Sequence, residues 1–580
     1  MLKKLVKQYF LDKRYLPFTA IIIILIAIRF LWLDKFPVGI NHDEVDVVLS
    51  AKSYWKFGRD LSGVPFPKSL FVTNTRAGLS GLPSFLLSPV YGPFTLSTSF
   101  ARVPYVILSI LIAFEIGIIV HLFTKNKRVS LISFLVALIN PWLYLYSRSP
   151  TEAPFSLLFA LLGIILLFKN SKSFYYSLIF FSLSFFSYQA AKPVIPLLVF
   201  GLVFIHRKFL SNKKAKDYLT YPLIFTGVII SYLILSSLIS GSTLSYRKNE
   251  LIFLNLNKYS DTVNEQRRAS LDFNYKSLFF NKYIELTKDT LKRYVGALSP
   301  SYLFFTGDQY VTFEEYGFFY IFDLPFIFLG FVGLLKLKEK RERQLVYILL
   351  LLLIISPISS SLSLIGNQYI FRSFLLPPIL IILIAFGVEL FLKYFNQSKI
   401  IILIISLCYT YFFLYFLAIF FFRYSIKQQE NHSLGERIVA DYLIRATKDN
   451  EFVYVSADYP YAAFYEYVFF SNYLDKVRVL PDVNASEFKT DQIIFSGKCL
   501  NEEGIHLIEE KALKCEEKES DFLVIEHQKD AGAIFRIFND TICKDALLTP
   551  YRRSHFVSDY DIEKMDNTTF CNRWINKYEE

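Results

Sequence analysis

Long apolar runs separated by short polar loops organise residues 16–423. The first run, Leu16 to Trp32, is longer than a signal-peptide core and lacks a small-residue cleavage site, so it reads as a retained anchor. Further runs lie at 101–123, 129–146, 153–168, 173–190, 193–206, 218–240, 318–335, 344–363, 370–392 and 399–422. A helix of about 20 apolar residues spans a hydrocarbon core about 30 Å thick. The pattern therefore predicts a polytopic α-helical membrane protein with about eleven transmembrane helices. Two longer polar stretches, 34–100 and 241–317, interrupt the alternation as loops on one face. The expected organisation is a cytoplasmic N-terminus at 1–15, a transmembrane domain at 16–423 and a soluble domain at 424–580.

Within the first long loop, Asn41 to Phe57 has the spacing of an amphipathic helix, with Val45, Val48, Leu49 and Trp55 on its apolar side. Residues 61–82 are rich in Gly, Pro and Ser and predict irregular structure. Leu82 to Phe94 is apolar but carries Pro83, Pro89 and Pro93, which suits an interfacial stretch better than a crossing. The tail changes period. A helix is expected over Leu434 to Thr447, and strands over Phe452–Ser456, Gln492–Phe495, Phe522–Glu526 and Ala533–Phe538. That mixture predicts a small α/β or α+β domain.

Composition agrees with the pattern. Hydrophobic residues make up 53% and aromatics 18% of the 580, and mean hydropathy is +0.36, which excludes an ordinary soluble protein. The net charge of +12 would suit a nucleic-acid partner, but the basic residues cluster in short loops such as Lys125 to Arg128, His206 to Lys208 and Lys336 to Arg343. That is the positive-inside distribution, so nucleic acid is not an expected partner and membrane lipids are. It places the protein in the cell membrane (plasma or inner), multi-pass, with its N-terminus cytoplasmic and its C-terminal domain extracytoplasmic. Cys408 lies in an apolar run, whereas Cys499, Cys515, Cys543 and Cys571 lie in the tail. Sequence order favours pairs 499–515 and 543–571, and all three pairings stay open. Asn484, Asn539 and Asn567 begin N-glycosylation tripeptides, which matter only in a glycosylating host.

Candidate chemistry gathers at the expected outer ends of the crossings. In Asn41-His42-Asp43-Glu44, Asn41 and Glu44 have capping-box spacing, and acids suit a helix start. Glu44 can cap while Asp43 acts as a general base on a substrate hydroxyl. Metal binding through His42 and these carboxylates is left open, and no cofactor is assigned. Ser147-Arg148 with Glu152 forms a short external turn in which Arg148 either pairs with Glu152 or grips a phosphate. Lys192, in Tyr188-Gln-Ala-Ala-Lys-Pro193, either snorkels or meets an anionic head group. Arg102 opens the second crossing and Arg372 follows Tyr369 at the start of a later one. Several cations beside one carboxylate suit transfer from a lipid-linked phosphate: the cations stabilise the leaving phosphate and the carboxylate activates the acceptor.

In this order, the Asp43-Glu44 pair, Arg102-Val103-Pro104, Ser147-Arg148 with Glu152, Tyr188 to Pro193, and Phe371-Arg372 near Pro377-Pro378 resemble the GT-C glycosyltransferases of family 39. That group includes protein O-mannosyltransferase-like and aminoarabinose-transferase-like enzymes. The resemblance covers about residues 15–423; where the family often has a histidine, this chain has Tyr369. It implies an inverting transfer of a sugar from a polyprenyl-phosphate donor, on the external face, to a protein, lipid or glycan acceptor. Asp43 would be the base, Glu44 its supporting neighbour, and Arg148, Lys192 and Arg372 the donor phosphate contacts. Arg102, Glu152, Tyr188 and Tyr369 complete the candidate set. The rival readings are a polymerase on a similar scaffold and a lipid-linked glycan transporter. A transporter should bury ionisable groups mid-span, whereas here they gather at the outer ends, with Glu115 the main exception and few other charges within the spans.

Overall fold

A computed structural model describes residues 16–72, 79–169, 173–209, 214–239, 250–366, 369–424, 433–449, 451–480, 482, 487–490, 492–500, 502–510, 522–526, 533–543 and 562–577. The expected cytoplasmic N-terminus, Asn484 and Cys515 lie outside them. The chain forms two compact units. One comprises Met1–Leu31 and Val103–Phe420, the other Trp32–Arg102 and Phe421–Glu580.

The first unit is helical. Among the described residues, five helices of the chain are long and apolar enough to cross a membrane: Thr98–Thr124, Lys216–Leu238, Lys340–Leu362, Leu376–Tyr394 and Lys399–Tyr424. Phe18–Arg29, Ala153–Lys169, Tyr176–Ser187 and Asp323–Leu335 are shorter apolar helices. Of the two remaining expected crossings, 193–206 falls in the helix Ala191–Phe209. The other, 129–146, is two helices, Lys127–Ile139 and Pro141–Tyr146. The break has a local cause. Asn140 is extended at φ −68, ψ 130, its Oδ1 accepts from Leu143 N at 3.1 Å, and Pro141 follows as the first helical residue. Asp323–Leu335 and Leu376–Tyr394 cross backbone to backbone. A Cβ on Gly330 would lie 2.0 Å from Leu383 O, and one on Gly387 would lie 1.9 Å from Phe326 O. Small residues at that crossing admit the close approach that helices in apolar surroundings use for packing.

The second unit joins the loop after the first apolar run to the tail. Its helix His42–Phe57 is buried on nearly every side from Glu44 to Tyr54. Trp55, expected on the apolar face, is 55% exposed, whereas Lys52 is buried. Lys52 reaches that depth because Nζ donates to Phe94 O and to Asp475 Oδ2, both at 2.7 Å. Lys56 donates to Leu474 O at 2.6 Å, and the Asn472 side chain accepts from Leu96 N at 2.7 Å. The Pro-containing stretch after residue 80 is a helix, Gly81–Tyr91.

Among the described residues the tail holds seven strands: β1 Val453–Ser456, β2 Glu487–Thr490, β3 Ile493–Ser496, β4 Ile505–Glu509, β5 Leu523–Glu526, β6 Ala533–Phe538 and β7 Asn576–Lys577. They form one mixed sheet in the order β2-β3-β1-β4-β6-β5-β7. β1 runs parallel to β3 and β4, and the other pairings are antiparallel. Four strands match the expected apolar runs. The others lacked a readable signal: β2 alternates exposed and buried as an edge, β4 carries His506 amid Ile and Leu, and β7 has two residues. Helix Leu434–Lys448 lies close to the expected bounds. Cys543 and Cys571 form a disulfide, and Cys499 is disulfide-bonded.

Candidate active site

Asp43 and Glu44 are adjacent in sequence and differ in structure. Asn41 caps the helix His42–Phe57, its side chain accepting from Asp43 N at 2.9 Å, while Asn41 N donates to Glu44 Oε2 at 3.1 Å. This is a complete capping box, and Glu44 is buried within it. Asp43 stays at the surface, its side chain 42% exposed, with Oδ1 3.3 Å from His42 Nε2. One carboxylate closes the helix, and the other remains accessible to a ligand.

The backbone leading into this turn is held by two buried guanidinium groups. Arg102 donates from Nη1 to Leu33 O at 2.7 Å and Pro37 O at 2.9 Å, and from Nη2 to Gly39 O. Arg437, from the tail helix Leu434–Lys448, donates from Nη1 to Val38 O at 2.9 Å and packs over the Phe470 ring. Arg102, a candidate ligand contact by sequence, is thus fully buried and engaged with carbonyls. Near the same turn lies Glu466, 1% exposed on the helix Pro460–Phe470. Burial pushes its carboxyl well above the usual carboxylate range, the charges of Glu436 and Glu44 reinforce the rise, and Arg437 opposes it.

The Ser147 turn belongs to the first unit. Arg148, expected to meet a phosphate, is fully buried. Its Nη2 donates to Leu31 O at 2.7 Å and to Tyr144 Oη at 2.9 Å, and its guanidinium lies over the Tyr144 and Phe420 rings. Arg29 is held in the same way, donating to Ser109 Oγ, Leu143 O and Leu138 O. Glu152 is buried just before the helix Ala153–Lys169.

The Tyr369 turn is built differently. Asp308, after the left-handed Gly307 (φ +73), accepts at Oδ1 from Val311 N (2.6 Å) and Thr312 N (2.9 Å). Its Oδ2 accepts from Ile370 N at 2.7 Å. Burial pushes Asp308 up to about 7 against these amide donors. Two positions on, Arg372 keeps a partly accessible side chain (12%) and lies 3.5 Å from Glu250 Oε2. Arg293 holds the preceding strand-like segment through Ser363 O (3.0 Å) and Leu364 O (2.8 Å). Tyr188 packs edge-on to Phe374 at 5.8 Å, and Ser359 Oγ donates to Ala190 O, so the Lys192 turn lies beside the Arg372 turn. Lys192 is half-buried, donates to Gln189 Oε1 and sits 4.8 Å over the Tyr232 ring. Tyr369 is half-buried and stacks edgewise on Phe371.

The structure therefore brings Tyr188, Lys192, Tyr369 and Arg372 together in the first unit, while Asp43, Glu44 and Arg102 belong to the second. Sequence reasoning missed Glu250, Arg293, Asp308 and Arg437. Asp308 carried a signal, an acid directly after a glycine in an aromatic stretch. Arg437 carried none, being one of several charges on an amphipathic helix. Among the described residues, no cluster of three or more His, Cys, Asp or Glu is placed to hold a metal ion.

No curated protein matches the chain in sequence. Among solved structures, the apo oligosaccharyltransferase of Archaeoglobus fulgidus is similar at a TM-score of 0.41 and 13% identity, over 79% of this chain and 64% of that one. The archaeal oligosaccharyltransferase AglB of the same organism, in complex with an inhibitory peptide and a dolichol-phosphate, gives 0.40 and 13%, over 77% of this chain. The chain spans 63% of that second structure's length. The family of glucosyl transferase GtrII matches residues 85–374, a range that includes Arg102, Arg148, Lys192 and Arg372 and begins after Asp43. That match covers half of the chain, which therefore belongs to the glucosyl transferase GtrII family.

Proposed function

We propose that the protein transfers a sugar from a polyprenyl-phosphate-linked donor to an acceptor hydroxyl on the external face, with inversion at the anomeric carbon. Asp43 removes the hydroxyl proton as the acceptor oxygen attacks that carbon. The bond to the donor phosphate breaks, and the phosphate leaves with the electron pair. Arg372 and Lys192 stabilise the developing phosphate charge, Arg372 through its planar fork and Lys192 as a point charge. Arg102 and Arg148 act indirectly, Arg102 by bracing the segment that carries Asp43 and Arg148 by bracing its own turn. The observation that carries this reading is the division of labour at the capping box, which uses Glu44 and leaves the Asp43 carboxylate accessible. The finer likeness to family 39 and the extracytoplasmic placement of the tail belong to the same proposal, supported by the motif order and the basic loops.

The test is Asp43→Asn, assayed for sugar transfer from a polyprenyl-phosphate donor in membranes. Asparagine keeps the size and loses the basicity. The expected outcome is a rate lower by about 10²–10⁴-fold with unchanged thermal stability. A variant that transfers at the normal rate removes Asp43 from the mechanism.

A further inference from the structure

The 250–317 loop carries an exposed apolar surface. Its helix Lys282–Gly296 places Tyr283, Thr287, Leu291 and Val295 at i, i+4 spacing along one side. Tyr283 is 69%, Leu291 57% and Val295 65% exposed. The preceding turns add exposed Tyr275 and Leu278. The next i, i+4 row along the helix, Lys288 and Lys292, is exposed and basic. Lys288 lies 2.8 Å from Glu285, and Lys292 stands at the border of the apolar row. Such a surface is costly in water, and single scattered apolar residues do not explain a continuous row.

The helix is fixed to the protein by Arg293, on the side away from this row, and by Tyr294, at the row's edge. Arg293 pairs with Asp289 and grips the Ser363 and Leu364 carbonyls. Tyr294 Oη donates at 2.6 Å to Ile354 O, near the end of the apolar helix Lys340–Ile355. That helix has its own exposed apolar side, including Leu350 and Ile354. The exposed row of the loop helix therefore adjoins the exposed apolar side of a helix long and apolar enough to cross a membrane. An apolar row edged by lysines is the pattern of a helix lying in the plane of a membrane interface. Lysines at that depth meet anionic head groups.

We propose that Lys282–Gly296 is a bilayer-seated helix, its Tyr283–Leu291–Val295 row sunk into the lipid surface and its lysine row on anionic head groups. The seat has a second consequence, which rests on the donor-phosphate role of Arg372. Leu364 N donates to Glu250 O at 2.8 Å, and Glu250 is the ion-pair partner of Arg372. Through Arg293, the helix thus holds the backbone on which that pair is built, and the bilayer sets its height.

The experiment uses the full chain in nanodiscs of phosphatidylcholine and phosphatidylglycerol, in a Cys408→Ser background. An environment-sensitive fluorophore is attached at Leu291→Cys, Val295→Cys or, as a control on another side of the helix, Glu285→Cys. The labels at 291 and 295 should be quenched by lipid-borne doxyl groups and shielded from aqueous iodide. Quenching by iodide without doxyl quenching means a solvent-exposed row and overturns the proposal. Protection from both quenchers means a protein or second-copy cover and also overturns it. None of these readouts depends on activity, so failure of the catalytic reading leaves the test intact. For the coupling, Leu291→Asp in the chain labelled at Val295→Cys should raise the KM for the lipid-linked donor about threefold at unchanged kcat. An unchanged KM in a variant whose fluorophore has left the lipid overturns the coupling.

Discussion

The turns at Ser147–Glu152 and Tyr369–Ser373 look alike in sequence, each placing serine and arginine beside aromatic residues at the edge of an apolar run. In the structure they are opposites. Arg148 is enclosed, with Leu31 O and Tyr144 Oη as acceptors and two aromatic rings against its guanidinium. Arg372 keeps an accessible edge and a carboxylate partner 3.5 Å away. A guanidinium removed from water requires acceptors wherever it lies, and backbone carbonyls supply them without a counter-charge. A guanidinium that has only a partly exposed carboxylate beside it can exchange that partner for a phosphate. The first is a brace and the second a candidate ligand contact. The same contrast separates Arg102 and Arg437 from Lys192.

The comparison can be broken at three points. The largest expected effect is at the brace. Arg148→Leu leaves Leu31 O and Tyr144 Oη without their donor, a loss of about 2–4 kcal/mol. Thermal unfolding in detergent should show it as a lower midpoint, while protein that remains folded keeps its donor KM. A raised KM at normal stability would make Arg148 a ligand contact after all.

The next effect is at Arg372. Arg372→Lys keeps the charge and loses the fork, so the donor KM should rise about tenfold, equivalent to about 1.4 kcal/mol. Stability should change by less than about 0.5 kcal/mol, because a partly exposed ion pair contributes little. Lost stability with an unchanged KM would place Arg372 among the braces.

The smallest effect is a pH dependence at Asp308. With a folded pKa of about 7 against an ordinary 3.8, the native state holds a proton that the unfolded chain has released. Stability from this group therefore falls as pH rises through about 7, by about 1 kcal/mol between pH 6 and pH 7.5. Asp308→Asn cannot accept from Ile370 N through its amide nitrogen, so it should be less stable at both pH values and lack that slope. Parallel thermal scans at the two pH values check it, and an unchanged slope in the variant removes Asp308 as its source.

Much of the fold was legible. The apolar runs, the Asn41–Glu44 capping box and four of the seven strands follow from spacing and residue type within a few positions. Local rules also anticipated that Glu44 caps and Asp43 does not. They misplaced Trp55 and gave no sign that Lys52 is buried, because Lys52 finds Asp475 423 positions away and periodicity has no term for such a partner. They also overlooked the break at Asn140–Pro141, where a cap and a proline outweigh a continuous apolar run.

The sequence by itself determined the membrane class, the helical unit and the mixed tail, since each rests on composition or period. The tertiary structure alone decided that the loop 32–102 and the tail form one compact unit, that Arg102, Arg148 and Arg437 are braces, and that Asp308 ties Gly307 to the Arg372 turn. The reason is desolvation. Whether a charged group serves structure or a ligand depends on the acceptors within about 3 Å of it, and these come from distant parts of the chain.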